Sequence, residues 1–185
     1  SWGVPGSLEL KPEITAPGGD ILSVNGANKA YNNTAHDLYE VMSGTSMAAP
    51  QVTGMAAVVA QYIRENGLDQ KVSGLTVRAL AQSLLMSTAV PMVDGNSGCY
   101  YPILQQGAGL ANVGAAIMAD SYILMNADAT ASYADGKVKV ELGDDPAREG
   151  VYSFSFTINN LTDRDRIYAL SADFFTQDAF PYGDQ

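Results

Sequence analysis

The sequence predicts an α/β domain followed by part of an all-β sandwich, and three observations carry that expectation. A short β-favouring run, Asp20–Val24, is followed by a Gly-Thr-Ser turn at Gly44-Thr45-Ser46 and then by small and apolar residues almost to Gly67. A second stretch from Thr76 places Val77, Leu80, Ala81, Leu84 and Leu85 at helical spacing. Beyond Asp120 the pattern changes to strict alternation, as in Lys137–Leu142 and Tyr152–Ile158, with turn residues between the runs. The expected domains are therefore residues 1–120 and 121–185.

Composition narrows the classes of partner. The chain has 185 residues, 46% of them hydrophobic, enough for one core or two modest ones. Ten Lys and Arg against twenty Asp and Glu give a net charge of −10, which argues against nucleic acid or an anionic membrane surface. No uninterrupted apolar run approaches the roughly 20 residues of a spanning helix. Ser1-Trp2-Gly3-Val4-Pro5 has neither signal-peptide pattern nor initiator Met, so the chain reads as an internal piece of a longer protein. Cys99 is the single cysteine, which excludes an intrachain disulfide; a small hydrophobe in a strand or loop is its expected role.

Taken in order, residues 1–17 are loop-rich, punctuated by Pro5, Pro12 and Pro17. Residues 25–39 are polar, with Asn25-Gly26 and Asn32-Asn33 as turn signals, and read as a hairpin or loop. His36, the only histidine, falls there and reads as a surface loop residue. A helix is expected to start at Thr45 or Ser46, with Pro50 in its first turn, where a missing N–H breaks no bond. Ala48–Asn66 is apolar on nearly every face, which predicts a buried helix stopped by Gly67 as its C′ residue. The second helix ends before Pro91, and Asp94–Gly98 is a turn. Asp94 and Asn96 have calcium-type oxygens but lack the remaining spaced ligands of a recognisable loop. Gly107-Ala108-Gly109 lacks the third glycine of a dinucleotide fingerprint. Alternating runs and turns at Asp135-Gly136, Gly143–Pro146 and Asn159-Asn160 predict sandwich strands, with Arg166–Leu170 as a further one. The charges at Asp144-Asp145 and Asp163–Arg166 read as solvated turns.

The chemistry-bearing stretch is Val41–Gly54. Gly44 permits a tight turn, and Ser46 at a helix start faces free N–H groups and the positive end of the macrodipole. That environment suits an acyl-transfer nucleophile, whose tetrahedral intermediate carries an oxyanion. By itself Ser46 reads better as a plain N-cap than as a nucleophile. The whole string Gly44-Thr45-Ser46-Met47-Ala48-Ala49-Pro50, followed by Val52-Thr53-Gly54, resembles the nucleophile motif of the subtilisin family of serine proteases. Ala48 stands where an α/β-hydrolase elbow needs its second glycine. Pro12–Gly18 and Gly107–Ala116 resemble two further segments of the same family, one before and one after the serine, and Asn112 would cap a last short helix. Phe154–Asp163 resembles the fibronectin-type-III-like domain that follows the protease domain in cell-envelope proteinases of the lactocepin type.

The resemblance implies part of a parallel-sheet catalytic domain, the serine-bearing half, with a truncated sandwich after it. It implies Ser46 as nucleophile, with its own N–H as one oxyanion donor and Gly44, Thr45, Met47 and Pro50 as the motif around it. Met42 and Ser43 would border the substrate more weakly. The family's Asp, His and oxyanion Asn segments do not occur in this sequence, and Ala35-His36-Asp37 does not match the His segment. The implied function is therefore a serine endopeptidase whose acyl-enzyme forms on Ser46, with the isolated chain inactive and associating with itself or with a missing upstream half. No cofactor or metal site is evident; the resemblance leaves room for calcium in the longer protein. Substrates would be proteins or peptides, and the location extracellular or on a bacterial cell envelope. The alternative is a scaffold or partner-binding piece of a surface pseudoprotease or adhesion protein.

Overall fold

The computed structural model describes residues 9–25, 39–125 and 135–175. His36 and Ser1-Trp2-Gly3 lie outside the described residues. The elements are β1 (Ile21–Val24), β2 (Tyr39–Met42), α1 (Thr45–Glu65), α2 (Leu68–Lys71), α3 (Val77–Ser87), α4 (Ile103–Gln106), α5 (Val113–Ile117), β3 (Ser121–Met125) and β4 (Phe156–Asn160).

Helix α1 begins and ends where its residues dictate. Gly67 takes the left-handed φ of 62° that a helix stop requires of the residue just past the cap. Helix α3 starts on Thr76, whose side chain accepts from the Ala79 N–H at 3.1 Å, and α5 starts on Asn112, which accepts from Ala115 N–H at 3.0 Å. Each cap satisfies one of the donors that a helix N-terminus leaves unpaired. The core forms where α1, α3, α5 and β3 meet. Val59, Ile63, Leu80, Leu84, Ala116 and Tyr122 are buried there, with Leu68 of α2 below them.

Two expectations about α1 are corrected. Its apolar residues do not make it buried all round: Val59 and Ile63 are sealed on one face, while Ala49, Ala57 and Val58 remain exposed on the other. The described residues cover that helix on one side only. Pro50 is the sixth residue of α1, so it lies in the second turn and leaves the Ser46 carbonyl without its i+4 donor.

The parallel sheet expected of this chain is reduced, among the described residues, to one parallel bridge between Thr15 and Leu110. Both multi-residue ladders are antiparallel: β1 pairs with β2, Ile21 opposite Met42, and β3 pairs with β4, Ile123 opposite Ile158. A parallel ladder needs strands delivered by separate crossovers, and Thr15 has one such neighbour here. Two glycines let Leu110 meet Thr15 on one side and Val90, in an antiparallel bridge, on the other. A Cβ on Gly107 would fall 2.3 Å from the Pro12 carbonyl oxygen, and one on Gly109 2.3 Å from that of Val90. The bridge is closed by Thr15 N–H to the Gly109 carbonyl and Ala111 N–H to that of Thr15, both 2.9 Å.

Beyond residue 120 the outcome is mixed. β3 is a strand that its neighbours in sequence do not announce. Tyr152–Ile158 contributes to β4, which begins only at Phe156, while Lys137–Leu142 and Arg166–Leu170 form no ladder among the described residues. An alternating run becomes a strand only when a partner edge accepts its N–H and C=O groups, and these two runs have none here. Lys139 instead anchors its segment through side-chain contacts, donating to the Leu10 carbonyl at 2.6 Å and lying 3.7 Å from Glu13. Arg166 pairs with Asp120, tying the charged 163–166 turn back to the start of β3.

Candidate functional site

The Ser46 turn is set by backbone conformation first. Gly44 is the N-cap of α1, with φ 154° and ψ 167°, a region essentially reserved for glycine. Ser46 is therefore the second residue of the helix, not its cap. Met47 N–H bonds back to the Gly44 carbonyl at 3.0 Å. Among the described residues neither the Ser46 hydroxyl nor its N–H has a hydrogen-bond partner, and the residue is exposed. No acidic residue stands in the first turn of α1, so the positive end of the helix is not neutralised from within.

The segment Pro17–Asp20 braces this turn. Gly44 N–H donates to the Gly18 carbonyl at 2.7 Å. Gly18 comes so near that a Cβ there would lie 2.7 Å from the Gly44 oxygen. On one side, Ser43 Oγ accepts the Asp20 N–H at 2.8 Å and donates to Asp20 Oδ1 at 3.3 Å. On the other, Gln51 Nε2 donates to the Pro17 carbonyl at 2.8 Å and to that of Met47 at 3.3 Å. Asp20 holds a left-handed φ of 51° to make its contacts, a conformation that Asp tolerates better than most residues. A cavity of about 320 Å³ opens beside the brace, lined among others by Ile14, Ala16, Gly18, Gly44, Thr45 and Ala48.

The residues named from the sequence are thus contiguous but not equivalent in placement. Gly44, Thr45, Ser46 and Met47 form the cap and first turn of α1, with Met47 half-buried and its sulfur 3.8 Å from where a Gly44 Cβ would stand. Met42 closes β2 opposite Ile21 and is 40% exposed. Ser43 is occupied with Asp20. Asp20 and Gln51 join the site through contacts that the sequence does not mark. Their signal is the proximity of Pro17–Asp20 to the serine turn, which residue spacing alone does not reveal.

Elsewhere, Asp94 is engaged as a turn: its carboxylate accepts from Asn96 N–H, Ser97 N–H and Ser97 Oγ, the last at 2.8 Å. These bonds, that of the Ser97 hydroxyl foremost, hold its carboxyl below the usual range. Cys99 follows in the same loop, within the strand-or-loop placement expected, but its side chain is exposed and not packed as a hydrophobe. No helix among the described residues is long and apolar enough to cross a membrane.

An exposed serine with an unengaged N–H at the start of a long helix, braced from the side by Pro17–Asp20, is a geometry that a serine-nucleophile hydrolase can use. The comparisons are consistent with that class: the subtilase family (Peptidase S8) matches residues 2–144. The chain belongs to the subtilase family. It is 34% identical over 123 residues to a C5a peptidase of Streptococcus pyogenes, a match that covers 66% of this chain and 10% of that protein. It is 32% identical over 178 residues to a PII-type proteinase of Lactococcus lactis subsp. cremoris, covering 93% of this chain and 9% of that protein. The chain thus spans about a tenth of the length of these relatives.

Proposed function

We propose that the protein to which this chain contributes is a subtilisin-like serine endopeptidase, with Ser46 as the nucleophile that carries the acyl-enzyme. The observation behind this reading is Ser46 itself, exposed as the second residue of α1 after the glycine-only turn at Gly44, within the Gly44–Pro50 motif. Its own N–H is one oxyanion donor, and the helix N-terminus favours the charge that develops. Thr45, Met47 and Pro50 shape the turn, and Met42 lies toward the substrate. A serine hydroxyl needs a base hydrogen-bonded to it and a group to orient that base. The family's Asp, His and oxyanion Asn segments do not occur in this sequence, and on that ground the reading takes the 185-residue chain as inactive alone.

The apolar surface supports the same reading of partners. A groove of about 560 Å³ runs between α1 and α3, lined by Val52, Ala56, Ala60, Val77, Leu85 and Met86 among others. Leu22, Val24, Tyr39 and Val41 of the β1–β2 hairpin are all more than half exposed. Patches of this kind associate in water, and the isolated chain is expected to self-associate or to bind the remaining half. Substrates are proteins or peptides, and the location is extracellular or on the cell envelope, consistent with relatives named as peptidase and proteinase. Residues 121–185 are assigned to the beginning of a fibronectin-type-III-like sandwich on the resemblance of Phe154–Asp163 to that domain.

Labelling with a fluorophosphonate probe tests the nucleophile. In the full-length protein Ser46 is expected to label and Ser46→Ala to remain blank. Equal labelling of both proteins would overturn the reading.

A further inference from the structure

We infer that Gln51 and Ser43 are positioning residues that fix the Ser46 turn by clamping Pro17–Asp20 to both ends of it; the inference rests on the nucleophile role proposed for Ser46. Three observations carry it. The clamps stand on either side of the nucleophile in sequence, three residues before and five after, and each reaches the same short segment: Ser43 holds Asp20 and Gln51 holds Pro17. Between them the main chain makes the central tie, Gly44 N–H to the Gly18 carbonyl at 2.7 Å. Gly18 approaches Gly44 too closely for any side chain, so a displacement of the 17–20 segment is transmitted directly to the peptide preceding Thr45 and Ser46.

The chemistry of the two clamps makes them more than local packing. Pro50 deprives α1 of one hydrogen bond in its second turn, at the carbonyl of Ser46. The helix start is therefore weaker than a regular one where the nucleophile sits. Gln51, the next residue, uses both N–H groups of one amide to bind an acceptor outside the helix and the Met47 carbonyl inside it. Ser43 is both acceptor and donor toward Asp20, so its one O–H is spent within the clamp. Asp20 in its left-handed conformation presents N–H and carboxylate to the same hydroxyl. Together the contacts hold the backbone of the turn, and with it the Ser46 N–H and Cα, in one place, which is what an oxyanion donor and a nucleophile's main chain need before the substrate arrives.

The test is steady-state peptide hydrolysis by the full-length protein, with a melting measurement on every variant. Gln51→Leu and Ser43→Ala are each expected to lower kcat by about 10- to 100-fold with KM unchanged, the size of effect expected from a small misplacement of reacting groups. Ser43→Thr, which keeps the hydroxyl, is expected to restore kcat, and Gln51→Glu, which keeps the shape and loses the donors, is expected to behave as Gln51→Leu. Ser46→Ala is run alongside. If Ser46→Ala is inactive while Gln51→Leu, Gln51→Glu and Ser43→Ala keep wild-type kcat, the positioning assignment is overturned and the nucleophile stands. If Ser46→Ala retains hydrolysis, the nucleophile reading falls and the assignment with it. A loss in Gln51→Leu that Gln51→Glu does not share, in a protein that melts early, also overturns it, since packing and not donation would then be the cause.

Discussion

Ser83 Oγ donates to the main-chain carbonyl of Ile123 across 2.7 Å, and the N–H of the same Ile123 donates to Ser87 Oγ at 3.0 Å. Both polar groups of one β3 residue are thus taken up by serines one turn apart on α3. Ile123 faces Ile158 of β4 in the register, yet its own N–H and C=O point away from β4. α3 therefore closes the edge of β3 that β4 does not cover, satisfying groups that would otherwise be an open template for another strand.

Ser83 is wholly buried, so Ser83→Ala leaves the Ile123 carbonyl without a donor in a water-poor site. An unsatisfied buried group of this kind costs about 1–3 kcal/mol. The expected result is a lower urea midpoint with an unchanged m value, measured on the protein in which the domain is folded. An unchanged midpoint would show that water replaces the hydroxyl.

Gly18 and Gly19 offer a matched pair at the site. A Cβ on Gly18 meets the Gly44 oxygen at 2.7 Å and Ala48 Cβ at 3.4 Å, whereas a Cβ on Gly19 meets nothing within 4 Å. Gly18→Ala is expected to slow fluorophosphonate labelling of Ser46 on the order of tenfold or more, because the oxygen that must retreat belongs to the turn itself. Gly19→Ala is expected to label at the wild-type rate and to melt within about 0.5 kcal/mol of it. Equal effects from both substitutions would remove Gly18 from the account.

Much of this was legible in the residues, for reasons that differ from element to element. Thr76, Asn112 and Gly67 mark helix ends through local chemistry, a side-chain acceptor or a left-handed backbone, and each stands where the pattern puts it. The Ser46 turn was legible because a long motif repeats backbone requirements, not merely residue types. What could not be read depends on partners distant in sequence. β3 owes its strand to Ser83, Ser87 and β4, none adjacent to it. Lys137–Leu142 alternates like a strand but is held by Lys139 against Leu10 and Glu13. The exposed face of α1 was likewise illegible, since apolar composition describes what a helix would bury and not whether a neighbour is there to cover it. Asp20 and Gln51 belong to the same class: their roles appear only when Pro17–Asp20 is folded against the turn.

Glu13 gives the acid limb of stability a definite sign. Burial raises its carboxyl, but the hydrogen bond from Lys11 and the charges of Lys11 and Lys139 outweigh it, and the net value falls below the ordinary 4.5. A carboxyl depressed by folding contributes stability that is fully present above its unfolded value and is lost as pH falls through the folded one. Wild type is therefore expected to lose stability below about pH 4.5 more steeply than Glu13→Gln, with the two curves offset by a constant amount near neutrality. Asp94 and Asp145 are lowered in the same direction and remain in both proteins, so the difference between the curves isolates Glu13. Parallel acid limbs would show that the Lys11 and Lys139 contacts do not persist in solution.

Gln106 makes the most demanding prediction, because it is a buried polar side chain with nothing to spare. It is 1% exposed, and its amide is divided between two main-chain groups of the 91–101 loop: Oε1 accepts from Met92 N–H and Nε2 donates to the Tyr101 carbonyl, both at 2.6 Å. Tyr101 N–H in turn bonds the Met92 carbonyl at 3.0 Å, so one side chain closes both ends of the loop. Gln106 also ends α4 immediately before Gly107, the residue whose close approach to Pro12 lets the Thr15 bridge form. Gln106→Leu keeps the volume and orphans two buried groups, for a loss of roughly 2 kcal/mol or more. Gln106→Glu keeps the acceptor for Met92 but places a carboxylate against the Tyr101 oxygen, and is expected to lose at least as much at neutral pH and to recover when protonated in acid. Hydrogen exchange at Met92 and Tyr101 is the decisive measurement. Fast exchange at both in Gln106→Leu, with Thr15 and Ala111 slowed as in wild type, confines the damage to the loop; loss of protection at Thr15 and Ala111 as well would show that the same side chain supports the strand bridge behind the Ser46 site.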